Sequence, residues 1–223
     1  TSKLNRTVGT NQSTNSLVGI DLYYNSHDNT FSSNKVYVYG NDNYIYGMGV
    51  LGFTEGHNAP EGQGATNTRF INNQIRLEGT YFVEGFVIGQ ESTDTLITLN
   101  VVNMQSDCVA YGINLEKPQN STITKNIFKL NSDVVYGIEA FNSNNNKINE
   151  NNFEINAKLA YRFALANSVN NEIVKNKIIA NGTGEDISFN NHDNIPEGNA
   201  GIYLDSNSTD NKIKNNEITS KKG

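Results

Sequence analysis

The chain has 223 residues, of which 36% are apolar and only 18% charged, with a net charge of -6, a pI near 5.1 and a mean hydropathy of -0.54. The acidic balance argues against a nucleic-acid partner, the low charge density against a self-repelling disordered chain, and no apolar run approaches the roughly 20 residues that span a bilayer. The polarity comes instead from asparagine, 39 residues in all, which favours turns because its short polar group bonds to nearby backbone.

In chain order, residues 1–16 read as a partial coil or cap. Two patterns then alternate. One is a Gly, an apolar residue, a spacer and usually a second apolar residue; the other is an apolar residue, two spacers, Asn, one spacer and an apolar residue. Gly19-Ile20-Asp21-Leu22 leads to Phe31, Asn34 and Val36, and Gly47-Met48-Gly49-Val50 to Phe70, Asn73 and Ile75. Gly85-Phe86-Val87-Ile88 leads to Ile97, Asn100 and Val102, and Gly112-Ile113-Asn114-Leu115 to Ile123, Asn126 and Phe128. Gly137-Ile138-Glu139-Ala140 leads to Ile148, Asn151 and Phe153. Arg162-Phe163-Ala164-Leu165 has Arg where Gly is expected and leads to Ile173, Asn176 and Ile178; Gly201-Ile202-Tyr203-Leu204 leads to Ile213, Asn216 and Ile218.

The asparagines of these seven copies are spaced 39, 27, 26, 25, 25 and 40 residues apart. A unit near 25 residues with short period-2 segments and no helical period fits a coil of three short strands, each pairing with its counterpart about 4.8 Å away in the next coil. Asn34, Asn73, Asn100, Asn126, Asn151, Asn176 and Asn216 are the expected ladder: Asn tolerates a left-handed corner, and its amide bonds to the amide of the neighbouring coil. The rows beginning at Ile20 and Leu22 form the core. The two long intervals hold insertions, about 52–66 and 181–199, which rim the Gly-containing strand face.

The units Gly-Ile-x-Leu and Asn-x-Ile-x-x-Asn-x-Ile resemble the parallel β-helix repeats of the pectate-lyase-like superfamily. They are most like the Asn-rich repeats of adhesin-like surface proteins of archaea and bacteria. Similar repeats occur in periplasmic copper-enzyme maturation proteins and some phage tailspikes. The resemblance covers roughly residues 17 to 220. It implies an all-β fold, a single-stranded right-handed parallel β-helix of about seven coils with two inserted loops. It is weak for function, since the superfamily holds lyases, hydrolases, epimerases and non-catalytic adhesins. Residues 1–223 read as one domain and as one piece of a longer protein with other domains.

Function is sought where the repeat departs from itself. Seven of the eleven tyrosines lie between residues 23 and 81. Tyr23, Tyr24, Tyr37, Tyr39 and Tyr44, with His57 and Glu61 of the first insertion and Asp193 of the second, are the candidate binding residues, because exposed Tyr offers a flat apolar face with a polar tip. The row Tyr46, Tyr111, Tyr136 and Tyr161 reads as core or turn packing, since stacked rows in a β-helix are usually interior. The expectation is an extracellular, cell-surface module that binds a glycan or a cell-surface protein without catalysis. Sequons at Asn5, Asn11, Asn120, Asn181 and Asn207 are compatible with that setting. The alternative is a lyase or epimerase on polyuronate, and a second alternative is a trimeric phage tailspike fragment. For the lyase, Arg162 would be the base with Glu139, Asp186 and His192 around it. The acids, Glu185 and Asp193 among them, would hold Ca²⁺, the one cofactor in view. Arg162 and Glu139 read equally as a surface ion pair, since Arg needs strong help to act as a base. His27, His57 and His192 fall in different coils and make no metal site by spacing. Cys108, with no partner for a disulfide, reads as a small buried hydrophobe.

Overall fold

The computed structural model describes residues 2–3, 16–22, 25–41, 44–50, 64–89, 91–182, 200–205 and 207–222. Among them every strand pairs in parallel with a strand one coil away, and no helix occurs. The chain is a β-solenoid whose coil has three faces. The short face holds the seven three-residue strands Thr30–Ser32, Arg69–Ile71, Leu96–Thr98, Thr122–Thr124, Lys147–Asn149, Glu172–Val174 and Lys212–Lys214. The ladder Asn follows, and then the middle face begins: Lys35–Tyr39, Gln74–Gly79, Val101–Ser106, Lys177–Gly182 and Glu217–Lys222, with Ser2–Lys3 paired to Lys35–Tyr39 at its first edge. The glycine face holds Ser16–Leu22, Tyr44–Val50, Phe82–Ile88, Val109–Glu116 and Ala200–Leu204. Two 15-residue strands, Ile127–Phe141 and Asn152–Ala166, run through both of these faces and join them into one 13-stranded sheet.

Alternation decides what lies inside. Along Val101–Ser106, Val102 and Met104 point into the solenoid while Asn103 and Gln105 are exposed. The predicted inner row is realised, with Met48, Phe86, Ile113, Ile138 and Phe163 fully buried and Ile20 and Ile202 packed against them at the ends. Each such side chain contributes about 1.5–3 kcal/mol through removal from water. Phenylalanines stack along the axis as well, Phe128 on Phe153 with centroids 4.5 Å apart, an arrangement that adds about 0.5–1.5 kcal/mol beyond area.

The glycine row has a steric cause. Between outward Tyr111 and inward Ile113, a Cβ on Gly112 would run into the carbonyl oxygen of Gly137 in the next coil, and one on Gly137 into that of Arg162. At these positions the neighbouring coil leaves no room for a side chain, whereas at Gly201 a Cβ would meet nothing closer than 3.4 Å.

The asparagine row is a continuous hydrogen-bond ladder. The backbone N–H and Nδ2 of Asn34 both donate to Asn73 Oδ1, at 2.9 and 3.0 Å. The same pair of bonds recurs at each step up to Asn176, which donates to Asn216 Oδ1 at 2.8 and 3.0 Å. From Asn73 onward each Nδ2 also donates back to a carbonyl of the preceding coil, as Asn126 does to Ile97 O at 2.9 Å. One detail corrects the sequence reading. The ladder asparagines are not left-handed; the residue before each one is: Ser33, Asn72, Leu99, Lys125, Glu150, Lys175 and Asn215. Turning one residue earlier leaves the ladder residue's N–H and side-chain amide pointing the same way along the axis. A second ladder stands five residues upstream, where Asn146 N donates to Asn171 Oδ1 and Asn171 N and Nδ2 to Asn211 Oδ1, at 2.9, 2.9 and 3.0 Å.

The insertion boundaries are narrower than spacing suggested. Thr66 bridges His27 and Thr93 within the coil stack, and Asn181 and Gly182 end a middle-face strand. The remaining insertion residues, 52–63 and 183–199, lie outside the described residues.

Candidate functional site

Two outward rows of the middle face run along the solenoid axis, one side chain per coil. The first is Tyr37, Arg76, Asn103, Lys129 and Glu154; the second is Tyr39, Glu78, Gln105, Asn131, Asn156 and Asn181. The strands place them by alternation, with Val38, Leu77, Met104 and Leu130 filling the inner positions between. Where the middle face turns into the glycine face the inward residues are small: Gly79, Ser106, Ser132, Ala157 and Gly182, in register. A third row follows the corner with Asp107, Asp133 and Lys158. These rows line two contiguous depressions of about 370 and 560 Å³, which share Gln105, Asn131 and Asn156. Together they form a groove from Arg76 to Asn181.

The chemistry of the groove is that of carboxamides. Asn131 Nδ2 donates to Gln105 Oε1 at 3.3 Å, and Asn181 Nδ2 to Asn156 Oδ1 at 2.9 Å. Each of these amides has two donor hydrogens and an oxygen with two acceptor sites, so most of that capacity faces solvent. Its charges are matched locally: Arg76 bonds to Glu78 at 2.7 Å, Lys158 to Asp133 at 3.0 Å, and Lys129 lies 3.7 Å from Glu154. At the N-terminal end Tyr37 and Tyr39 stack at 5.1 Å, and the Arg76 guanidinium sits 5.3 Å over the Tyr37 ring. The Tyr37 hydroxyl donates to Glu78 at 3.1 Å. Desolvation, then the bond to Glu78, hold its pKa above the usual phenol value.

The glycine face carries a different array. Tyr44 stacks on Phe82 at 5.0 Å, and Tyr111, Tyr136 and Tyr161 stack at 4.8 and 5.0 Å. Tyr111, Tyr136 and Tyr161 pack in a second cluster with Val109, Val134 and Leu159 on the outer side of the sheet, and Tyr46 packs in a third with Val87 and Val18, not in the solenoid core. Tyr136 and Tyr161 are buried, whereas Tyr44 and Tyr81 are 44% and 46% exposed. Glu84 lies in register between Tyr46 and Tyr111 and accepts a hydrogen bond from Asn114 Nδ2 at 3.3 Å. Its burial pushes the carboxyl pKa up to about 7.

Of the predicted site residues, Tyr37 and Tyr39 stand one coil beyond the Arg76 end of the groove, in register with Arg76 and Glu78, and Tyr44 lies on the glycine face. Tyr23, Tyr24, His57, Glu61, Glu185, Asp186, His192 and Asp193 lie outside the described residues. Arg162 and Glu139 do not meet. Arg162 occupies the inward glycine row, is 4% exposed, and donates through Nη2 to Ser220 Oγ at 2.8 Å. Ser220 is in register with the core residue Ala180. Glu139 sits between the core residues Ile138 and Ala140 and so points to the outer side. Desolvation lowers the Arg162 pKa. Cys108 is half-buried at the edge of the outer cluster, where burial raises its thiol pKa. Among the described residues no group of His, Cys, Asp and Glu is arranged to hold a metal ion, and no helix is long and apolar enough to cross a membrane. Spacing missed Gln105, Asn131, Asn156 and Asn181, although each stands five residues after a ladder Asn.

No curated protein and no solved structure matches the chain. A family model, that of the right-handed β-helix region, matches residues 61–223. The parallel coils described above agree with that match, and the chain belongs to the right-handed β-helix family.

Proposed function

We propose that this chain is a non-catalytic, glycan-binding β-helix module of an adhesin-like protein displayed at the cell surface. One observation carries the reading: the groove of coil-periodic carboxamides on the middle face, whose two outward rows continue one coil further to the stacked Tyr37–Tyr39 pair. Carboxamides bond the hydroxyls of sugars in either direction, and a Tyr ring presents the flat apolar surface on which a sugar face packs. The rigid solenoid holds these groups in register without needing to close around a ligand. The sequon residues Asn120 and Asn207 are exposed, as glycosylation outside the cell requires.

The test is a glycan array followed by titration of the best ligand against the Tyr37→Ala/Tyr39→Ala variant. Loss of the aromatic end is expected to weaken binding by roughly tenfold, alongside a destabilisation of about 1–3 kcal/mol from the lost ring stack, the contact with Arg76 and the bond to Glu78, so binding is measured well below the unfolding temperature of the variant. Release of unsaturated uronate from a polyuronate by the wild-type protein would overturn the non-catalytic reading in favour of the lyase.

A further inference from the structure

We infer that the middle-face groove takes an uncharged glycan chain laid along the solenoid axis, and that polyuronates are not its ligands. The inference rests on the glycan reading above and names the class of glycan. Three features lead to it.

The first is charge. The groove is lined by three cations and four anions, a net charge of -1, within a chain of net charge -6. Each cation already has a carboxylate beside it: Arg76 has Glu78, Lys129 has Glu154 and Lys158 has Asp133. A polyanion entering here would meet net repulsion and would have to break an existing pair to gain a counter-charge. The second is hydrogen-bond character. A sugar hydroxyl donates and accepts, as does each carboxamide of Gln105, Asn131, Asn156 and Asn181. A carboxylate only accepts, so every amide oxygen facing it would be opposed rather than bonded. The third is direction. The amides repeat once per coil, so the row from Gln105 to Asn181 spans three coil steps, roughly 14 Å, across the strands. An extended chain lying along the axis meets one amide per step, and its affinity should rise with length until the row is filled.

The experiment uses the whole chain. Affinity electrophoresis and calorimetric titration are run with β-glucan, xylan, mannan and polygalacturonate, at about 50 and about 500 mM salt. The expected result is binding to at least one neutral polymer, changed less than about twofold by salt. The Asn131→Ala/Asn156→Ala variant, altered only at exposed positions, should bind it roughly tenfold more weakly. Polygalacturonate bound by the wild-type protein and lost in that variant would overturn the choice of class and leave the glycan reading standing. A neutral polymer bound equally well by the variant would overturn the groove as its site. Failure to bind any polymer of either class would overturn the glycan reading itself.

Discussion

Asn126→Ala is expected to destabilise the solenoid by about 4 kcal/mol, far more than any exposed asparagine in the chain. The Asn126 side chain makes four hydrogen bonds. Its Oδ1 accepts from Asn100 N and Nδ2, each at 3.0 Å, and its Nδ2 donates to Ile97 O and to Asn151 Oδ1, each at 2.9 Å. The residue is 1% exposed, and Asn100 and Asn151 are buried with it, so water cannot replace the lost partners. Each bond is worth about 1 kcal/mol net, and a buried donor or acceptor left alone costs about 1–3 kcal/mol. Asn131→Ala, five residues on and exposed, serves as the control and should change stability by less than about 0.5 kcal/mol. Urea unfolding of the two variants measures the difference. Equal midpoints would show that the ladder contributes nothing beyond shape.

Glu84→Gln should stabilise the protein in alkaline solution and have little effect in acid. The Glu84 carboxyl is 6% exposed on the outer side of the glycine face. Desolvation raises its pKa from 4.5 to about 7; the Asn114 hydrogen bond opposes this, and the Glu116 charge adds to it. The folded state therefore binds a proton more tightly than the unfolded chain does. That stabilisation is complete below the unfolded pKa of 4.5 and is lost as pH rises through about 7. At about 1.4 kcal/mol per pKa unit, the loss comes to about 3 kcal/mol once the group is ionised. Gln keeps an oxygen for Asn114 and carries no charge. The variant should match the wild type near pH 4 and exceed it by up to about 3 kcal/mol near pH 9. A stability difference that does not vary with pH would contradict the burial of an ionisable carboxyl there.

How much of this was legible in the sequence depended on whether a position repeats in kind or only in place. The inner rows repeat in kind, because a solenoid core accepts only apolar side chains at Met48, Phe86, Ile113 and their counterparts. The ladder repeats in kind, because a carboxamide oxygen accepts from both the backbone N–H and the side chain of the neighbouring coil while its nitrogen donates to two acceptors, more bonds than one hydroxyl hydrogen allows. The second ladder was overlooked because its row is interrupted: Asn29 is followed by Thr68, Thr95 and Ser121 before Asn returns at Asn146, Asn171 and Asn211. The left-handed corners repeat in place alone: Leu99, Lys125, Glu150 and Lys175 share φ near 60° and no chemistry. The groove is intermediate. Its second row reads Tyr39, Glu78, Gln105, Asn131, Asn156 and Asn181, so the pattern emerges only over its last coils. Arg162 misled for a different reason. A charged residue in a glycine row suggests a surface site, but the row faces inward, and the guanidinium extends past Lys177–Gly182 to Ser220 in the last middle-face strand described.

The two aromatic sets allow the most direct test. Tyr37 and Tyr39 stand one coil beyond the Arg76 end of the middle-face groove, and Tyr44 and Tyr81 are exposed on or beside the glycine face. Hydroxyl-radical footprinting with and without a bound neutral glycan reports on both sets in one experiment. Protection of Tyr37 and Tyr39, with Tyr44 and Tyr81 labelled as before, is the predicted result. Protection of Tyr44 and Tyr81 with Tyr37 and Tyr39 unchanged would place the ligand on the glycine face and contradict the account.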